Sequence, residues 1–284
     1  MHPSQQKPSV NLVSFHSMST RRIHVLGIDW QVDFCAPKGA LFVAGADADT
    51  GRMAKFINRI GPRVEMFHFT LDSHQAVHIA HPCMWLGKDG NHPAPFTTIT
   101  VDDVEQGVWR AAEPSKQSWY LQYVRALKAN GRYALMIWPP HCLIGSPGHN
   151  LMPSIWTELN QWSTARRRMI NFVTKGSHPD TEHYSAMQAD VAVPTDPGTK
   201  LNANFLKFLA IADELVITGQ ASSHCVANTV RDIADNFTPE QVRKFVIIRD
   251  LMSPVPIATP LADKFLADMA ALGVRIVDKS TDYL

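Results

Sequence analysis

Short β-rich runs alternate with amphipathic stretches along most of this chain, and that alternation restricts the fold more than any other feature. Strands spaced by helix-length segments cannot pair as hairpins. They join through crossovers, which gives βα units around a mostly parallel sheet with helices on both faces, a three-layer α/β/α arrangement of Rossmann-like type. Strands are expected near Ile23–Ile28, Val64–Phe69, Ala134–Trp138, Ile170–Thr174, Glu214–Thr218, Lys244–Arg249 and Val274–Val277. Helices are expected at about Asp49–Ile60, Ser118–Asn130, Ala203–Ala212, His224–Asn236 and Pro260–Leu272. Gly273 follows the last of these at the position that favours left-handed backbone. Residues 81–118 break the rhythm with Pro82, Gly87, Gly90, Pro93, Pro95, Gly107 and Pro114, and read as an irregular or lid-like insertion. The 284 residues suit one domain over 21–284, behind a tail at 1–20 that lacks the basic and apolar regions of a signal peptide.

Charge and cysteine usage exclude several classes of function. Lys and Arg total 27 against 26 Asp and Glu, so nothing marks a nucleic-acid or anionic-membrane partner. No apolar run reaches the 18 or so residues of a membrane span. The four cysteines, Cys35, Cys83, Cys142 and Cys225, form no CxxC pair, which fits a reducing, cytoplasmic setting and argues against a redox thiol protein.

Open α/β sheets bind ligands along the carboxyl edge of their strands, and the chemically capable residues of this sequence fall there. Leu215-Val-Ile-Thr-Gly219 runs through small residues into the helix that begins around Cys225. A cysteine in a first helical turn meets the positive end of the helix dipole, which favours thiolate, and free backbone N–H groups, which can hold an oxyanion. The plainer reading of Cys225 is a small buried residue filling a junction. Asp29 follows the first strand, where it could equally be a turn or capping residue. Asp72-Ser-His74 projects an oxygen and a nitrogen donor from the same side of an extended segment, a spacing suited to a divalent metal, and His78 and His81 follow. Trp138-Pro-Pro-His141 aims a further imidazole outward from stiff backbone. Lys175 either snorkels to solvent or sits beside the thiol.

Taken together, Asp29-Trp-Gln-Val-Asp33-Phe34, Asp72-Ser-His74, Trp138-Pro-Pro-His141-Cys-Leu-Ile-Gly-Ser-Pro-Gly, Lys175-Gly and Gly219-Gln-Ala-Ser-Ser-His-Cys225-Val resemble the isochorismatase-like cysteine hydrolases, and among them most the nicotinamidases. The resemblance runs from about Arg22 to Val277 and does not cover 81–118. It implies a catalytic triad of Asp29, Lys175 and Cys225. It also implies an oxyanion hole from the N–H groups of Ala221 and Cys225, with a cis bond at Gln220–Ala221. It further implies a metal held by Asp72, His74 and His141, zinc by default with iron or manganese also suited, and His78 or His81 as a fourth ligand. Phe34, Trp138, Tyr184 and His224 fall where the family walls a small aromatic substrate. The implied activity is hydrolysis of nicotinamide or a similar heteroaromatic amide to the acid and ammonia through a thioester, in an enzyme that often assembles as a homo-oligomer. The alternatives are a ureidoacrylate-, biuret- or maleamate-type amidase and a non-catalytic binding protein of the same fold.

Overall fold

A computed structural model describes residues 21–284, so the tail expected at 1–20 lies outside the described residues. In chain order the strands are β1 (Ile23–Ile28), β2 (Val64–Asp72), β3 (Trp85–Gly87), β4 (Thr98–Ile99), β5 (Trp109–Ala111), β6 (Leu135–Met136), β7 (Asn171–Lys175), β8 (Glu214–Gly219), β9 (Phe245–Ile248) and β10 (Arg275–Val277). The helices are α1 (Val32–Cys35), α2 (Ala46–Ile60), α3 (Val101–Glu105), α4 (Gln117–Asn130), α5 (Pro153–Arg166), α6 (Ala203–Ala210), α7 (Cys225–Asp235), α8 (Pro239–Val242) and α9 (Thr259–Ala271). Six strands form one all-parallel sheet in the order β10-β9-β8-β1-β2-β7.

Side chains of successive strand residues point to opposite faces, and the central strands are apolar at both parities because both faces are covered. On β1, β8 and β9, Leu26, Ile28, Leu215, Ile217, Phe245 and Ile247 pack in the layer that holds α4, α6, α7 and α9. Their neighbours Val25, Val216, Val246 and Ile248 pack in the other, with α2 and α5. The result is the three-layer α/β/α sandwich that the alternation of strands and helices predicts.

Three expectations need correction. The run Ala134–Trp138 does not join the sheet. Only Leu135–Met136 is a strand, and it pairs antiparallel with Thr98–Ile99 in a separate two-stranded ribbon. The short stretch cannot span a sheet edge, and the prolines at 139 and 140 end it. Helix α5, whose Ile155, Leu159 and Trp162 are buried, was not expected, although Pro153 at its first turn and the spacing of those three residues are helix signals. Finally, residues 81–118, expected as an irregular or lid-like insertion, carry β3, β4, α3 and β5. Trp85, Ile99, Val101, Val104 and Ala111 are buried in the same apolar layer as α4 and α7, and Trp85 lies 4.8 Å from Tyr120 of α4.

Candidate active site

The parallel register brings the two acidic strand ends and the lysine together. Asp72 is paired with Lys175 across β2 and β7, while β1 lies between β2 and β8 and delivers Asp29 just past Ile28. Asp29 adopts φ +50°, a left-handed conformation that a non-glycine residue takes up only where its surroundings enforce it. Here Thr70 does so: its hydroxyl accepts from the Asp29 backbone N–H at 3.0 Å and donates to the Asp29 carboxylate. The carboxylate is thereby turned inward, with its side chain fully buried.

Lys175 is buried as well, with its ammonium 3.0 Å from Asp29 Oδ2, 3.1 Å from Asp72 Oδ1 and 3.6 Å from Cys225 Sγ. It also donates to the His183 carbonyl at 2.9 Å. Of the two readings of this lysine, snorkelling is therefore wrong. Burial works against its charge, but Asp29 and Asp72 outweigh that and raise its pKa well above the ordinary value. Burial raises Asp29, with Lys175 opposing. Cys225 begins α7, as expected, yet burial pushes its thiol well up and Lys175 only partly counters it. The expectation that the helix end favours the thiolate is thus opposed by desolvation, which disfavours the charged form of a buried thiol. The negative charges of Asp29 and Asp72 add to that rise.

The turn before α7 exposes two backbone donors. The peptide Gln220–Ala221 is cis, and the N–H groups of Ala221 and Cys225 have no acceptor among the described residues. Both residues line a cavity of about 220 Å³, together with Phe34, Trp138, Tyr184 and His224 from the expected aromatic wall. Trp138 donates to the Tyr184 hydroxyl at 3.0 Å, which fixes one wall, and Phe34 lies edge-on to His141 at 5.3 Å.

Asp72, His74 and His141 converge beside the same cavity. His74 Nε2 is 3.0 Å and His141 Nε2 3.3 Å from Asp72 Oδ2. In each ring the other nitrogen is tied to a backbone carbonyl, His74 Nδ1 to Gly176 at 2.8 Å and His141 Nδ1 to Pro139 at 2.8 Å. That leaves both Nε2 lone pairs aimed at one point, the usual way a protein orients imidazole ligands. Gln31 clamps Asp72 by accepting from its N–H and donating to its carbonyl, both at 2.7 Å. This donor set fits a divalent metal of the zinc, iron or manganese type. His141 reaches it from the loop after β6 and not from the edge of the central sheet. The two candidates for a fourth ligand part ways. His78 accepts from the Ala80 N–H and donates to the Thr181 carbonyl, yet it also forms, with His74 and Glu182, a second group of donors within 4.8 Å of one another. His81 donates to the Ala76 carbonyl and leaves a buried, unpartnered Nε2, with its ring 5.5 Å from His74 and 5.8 Å from His141.

Sequence reading missed several residues of this site. Glu182, Phe96 and Pro256 line the cavity, and Thr70 and Gln31 hold its acids in place. Gln31 lies within the Asp29–Phe34 motif, and its alternation with Asp29 and Asp33 was the available signal. Nothing local to Glu182 or Phe96 announces a role.

No family model and no curated protein matches this sequence. Solved structures do. The yeast nicotinamidase bound to the inhibitor nicotinaldehyde superimposes with a TM-score of 0.62 at 20% identity, covering 91% of this chain and 100% of that one. The fold is that of the nicotinamidases. A nicotinamidase/pyrazinamidase of Acinetobacter baumanii gives 0.60 at 22% identity, with 94% and 100% of the two chains covered. The Pyrococcus horikoshii pyrazinamidase in complex with zinc gives 0.52 at 18%, covering 90% and 99%. Among the described residues no helix is long and apolar enough to cross a membrane.

Proposed function

We propose that this protein is a metal-assisted cysteine amidohydrolase that converts nicotinamide, or a closely similar heteroaromatic amide, to the carboxylic acid and ammonia. The observation that carries the reading is the coincidence, on one small apolar cavity, of a buried Asp29–Lys175–Cys225 cluster and a convergent Asp72/His74/His141 donor set. An apolar slot walled by aromatics suits a flat ring.

In this reading Asp29 takes the thiol proton as Cys225 Sγ attacks the amide carbonyl. The developing oxyanion is held by the Ala221 and Cys225 N–H groups. Asp29 then returns the proton to the leaving nitrogen, ammonia departs, and a thioester remains. Asp29 next removes a proton from water as it attacks the thioester, and the acid and free thiol are released. Lys175 holds Asp29 and Asp72 in place and offsets their charge throughout. Asp72, His74 and His141 would hold the metal, with His81 the better placed fourth donor, and a bound metal supplies a Lewis acid for a pyridine nitrogen. Of the solved structures with this fold, the yeast enzyme binds nicotinaldehyde and the Pyrococcus enzyme binds zinc, which supports the reading. The partner in this reading is a small-molecule amide.

The test is ammonia release by purified protein from nicotinamide, pyrazinamide, ureidoacrylate, biuret and aliphatic amides, with metal content measured on the same sample. Turnover of the two heteroaromatic amides, abolished in Cys225→Ala, is expected. Turnover of ureidoacrylate or biuret by metal-free protein would replace the nicotinamidase reading with that of a metal-free amidase.

A further inference from the structure

A second cavity, of about 290 Å³, lies between the end of α4 and the second turn of α7, lined among others by Asn130, Arg132, Tyr133, Asp190 and Asp232. Asp232 is 1% exposed, and its Oδ1 accepts from Arg132 Nη1 at 2.9 Å while its Oδ2 has no partner. Asp190 Oδ2 is buried without a partner too. The Asp190 carboxylate cannot easily swing away, because the backbone on either side is fixed. Its N–H donates to the Glu182 carbonyl at 2.8 Å, and its carbonyl accepts from Asn130 Nδ2 at 3.0 Å. Each such orphan oxygen costs about 1–3 kcal/mol, or more when charged, unless something binds it.

The one cation at the cavity does not meet this demand. Arg132 spreads its contacts over Asp232, the Asn228 amide oxygen at 3.4 Å and the exposed Asp235 at 3.8 Å. Helix α4 ends beside the same cavity, at Asn130, and the negative end of its dipole adds to the potential there. When both are ionised, Asp190 and Asp232 face a single guanidinium and leave the wall one positive charge short; burial, with Glu182 and Asp232 nearby, raises the Asp190 pKa well above the ordinary value, so a cation held there displaces a proton. No imidazole or thiol lines the cavity, so transition metals are poorly served. We infer that this cavity is a binding site for a small monovalent cation of ammonium or potassium size, held between the free carboxylate oxygens of Asp190 and Asp232.

The site communicates with the nucleophile turn. Asn228, which contacts Arg132, donates to the His224 carbonyl at 2.9 Å and to the Tyr133 hydroxyl at 3.2 Å, and that hydroxyl donates to the Ser223 carbonyl at 2.7 Å. Ser223 and His224 immediately precede Cys225.

The test uses the whole chain and no amide, so its failure would leave the amidase reading untouched. Ammonium chloride and potassium chloride are titrated separately into protein in tetramethylammonium chloride at constant ionic strength, and the melting temperature is followed. A saturable rise is expected, since a ligand of the native state stabilises it. Saturation by ammonium alone would identify the cation with the nitrogen the proposed reaction releases, whereas saturation by potassium would identify it with the medium. Thallium(I) soaked into crystals should give an anomalous peak between Asp190 and Asp232. In Asp190→Asn, which breaks no side-chain hydrogen bond, the half-saturating concentration should rise at least about tenfold, the equivalent of 1.4 kcal/mol. Asp235→Asn, at the exposed rim, should leave it unchanged. Absence of saturation in both salts together with no thallium peak would overturn the site, as would an unchanged titration in Asp190→Asn; the orphan oxygens would then share a proton instead.

Discussion

Gly176→Ala tests the candidate metal centre apart from the rest of the molecule. Gly176 has φ +80°, so a side chain there costs about 1–2 kcal/mol in backbone conformation alone. Its added Cβ would lie 2.7 Å from both Asp72 Oδ1 and His74 Cε1, closer than real carbon contacts come. His74 cannot turn aside freely, because its Nδ1 is bonded to the carbonyl of Gly176 itself, a bond worth about 1 kcal/mol. Together these come to roughly 2–3 kcal/mol, or a fall in melting temperature of about 4–12 °C at the 2–4 °C per kcal/mol of chains a little smaller than this one. Displaced imidazole orientation typically lowers metal affinity about 10–100-fold. Zinc competition with a chromophoric chelator reads the affinity, and calorimetry reads the stability. Wild-type zinc affinity in a folded Gly176→Ala variant would refute the argument that Gly176 shapes the ligand geometry.

Asp29→Asn keeps the shape of the side chain but removes the proton acceptor, so turnover should fall about 10²–10⁴-fold with the melting temperature little changed; loss of folding instead would show that Asp29 is structural. Lys175→Met should raise the pH midpoint for iodoacetamide labelling of Cys225, because the cation that partly offsets burial is gone; an unchanged profile would place the control of the thiol elsewhere. Without a metal, burial opposes but Asp72 dominates, and carries the His74 imidazole up to about 9. The ring is therefore protonated below that pH and must give up its proton to bind zinc, so apparent affinity should climb as pH rises from 6 to 9, with proton release visible in weakly buffered solution. Trp162→Ala, which removes an edge-on contact with Phe67 at 4.8 Å, should cost about 3–5 kcal/mol on denaturant unfolding.

The periodic parts of this chain were legible because their side chains record where they are buried. β1 and β8 are apolar at both parities, as strands covered on two faces must be, and Asp29, Asp72 and Lys175 stood out as polar interruptions at strand ends. Leu135–Met136 was misassigned for the same reason. A short apolar run looks alike in a central sheet and in a ribbon, and only the partner distinguishes them. Ionisation was not legible at all. Nothing in the sequence around Cys225 shows how strongly desolvation opposes the helix end, since that depends on how completely the walls from Phe34 to Tyr184 exclude water. The hydrogen bonds that distinguish His78 from His81 likewise depend on carbonyls at Thr181 and Ala76, one of them a hundred residues away in the chain.

Because Trp85, Val101 and Ala111 share one apolar layer with Val226 and Val230 of α7, residues 81–118 cannot detach without opening the layer that holds that helix. Their backbone amides should therefore exchange with solvent in the same cooperative unit as α7, and not as an early-opening flap. Traffic to and from the cavity is then left to smaller excursions at its rim, around the half-exposed ring of Phe96, on timescales far shorter than those of unfolding.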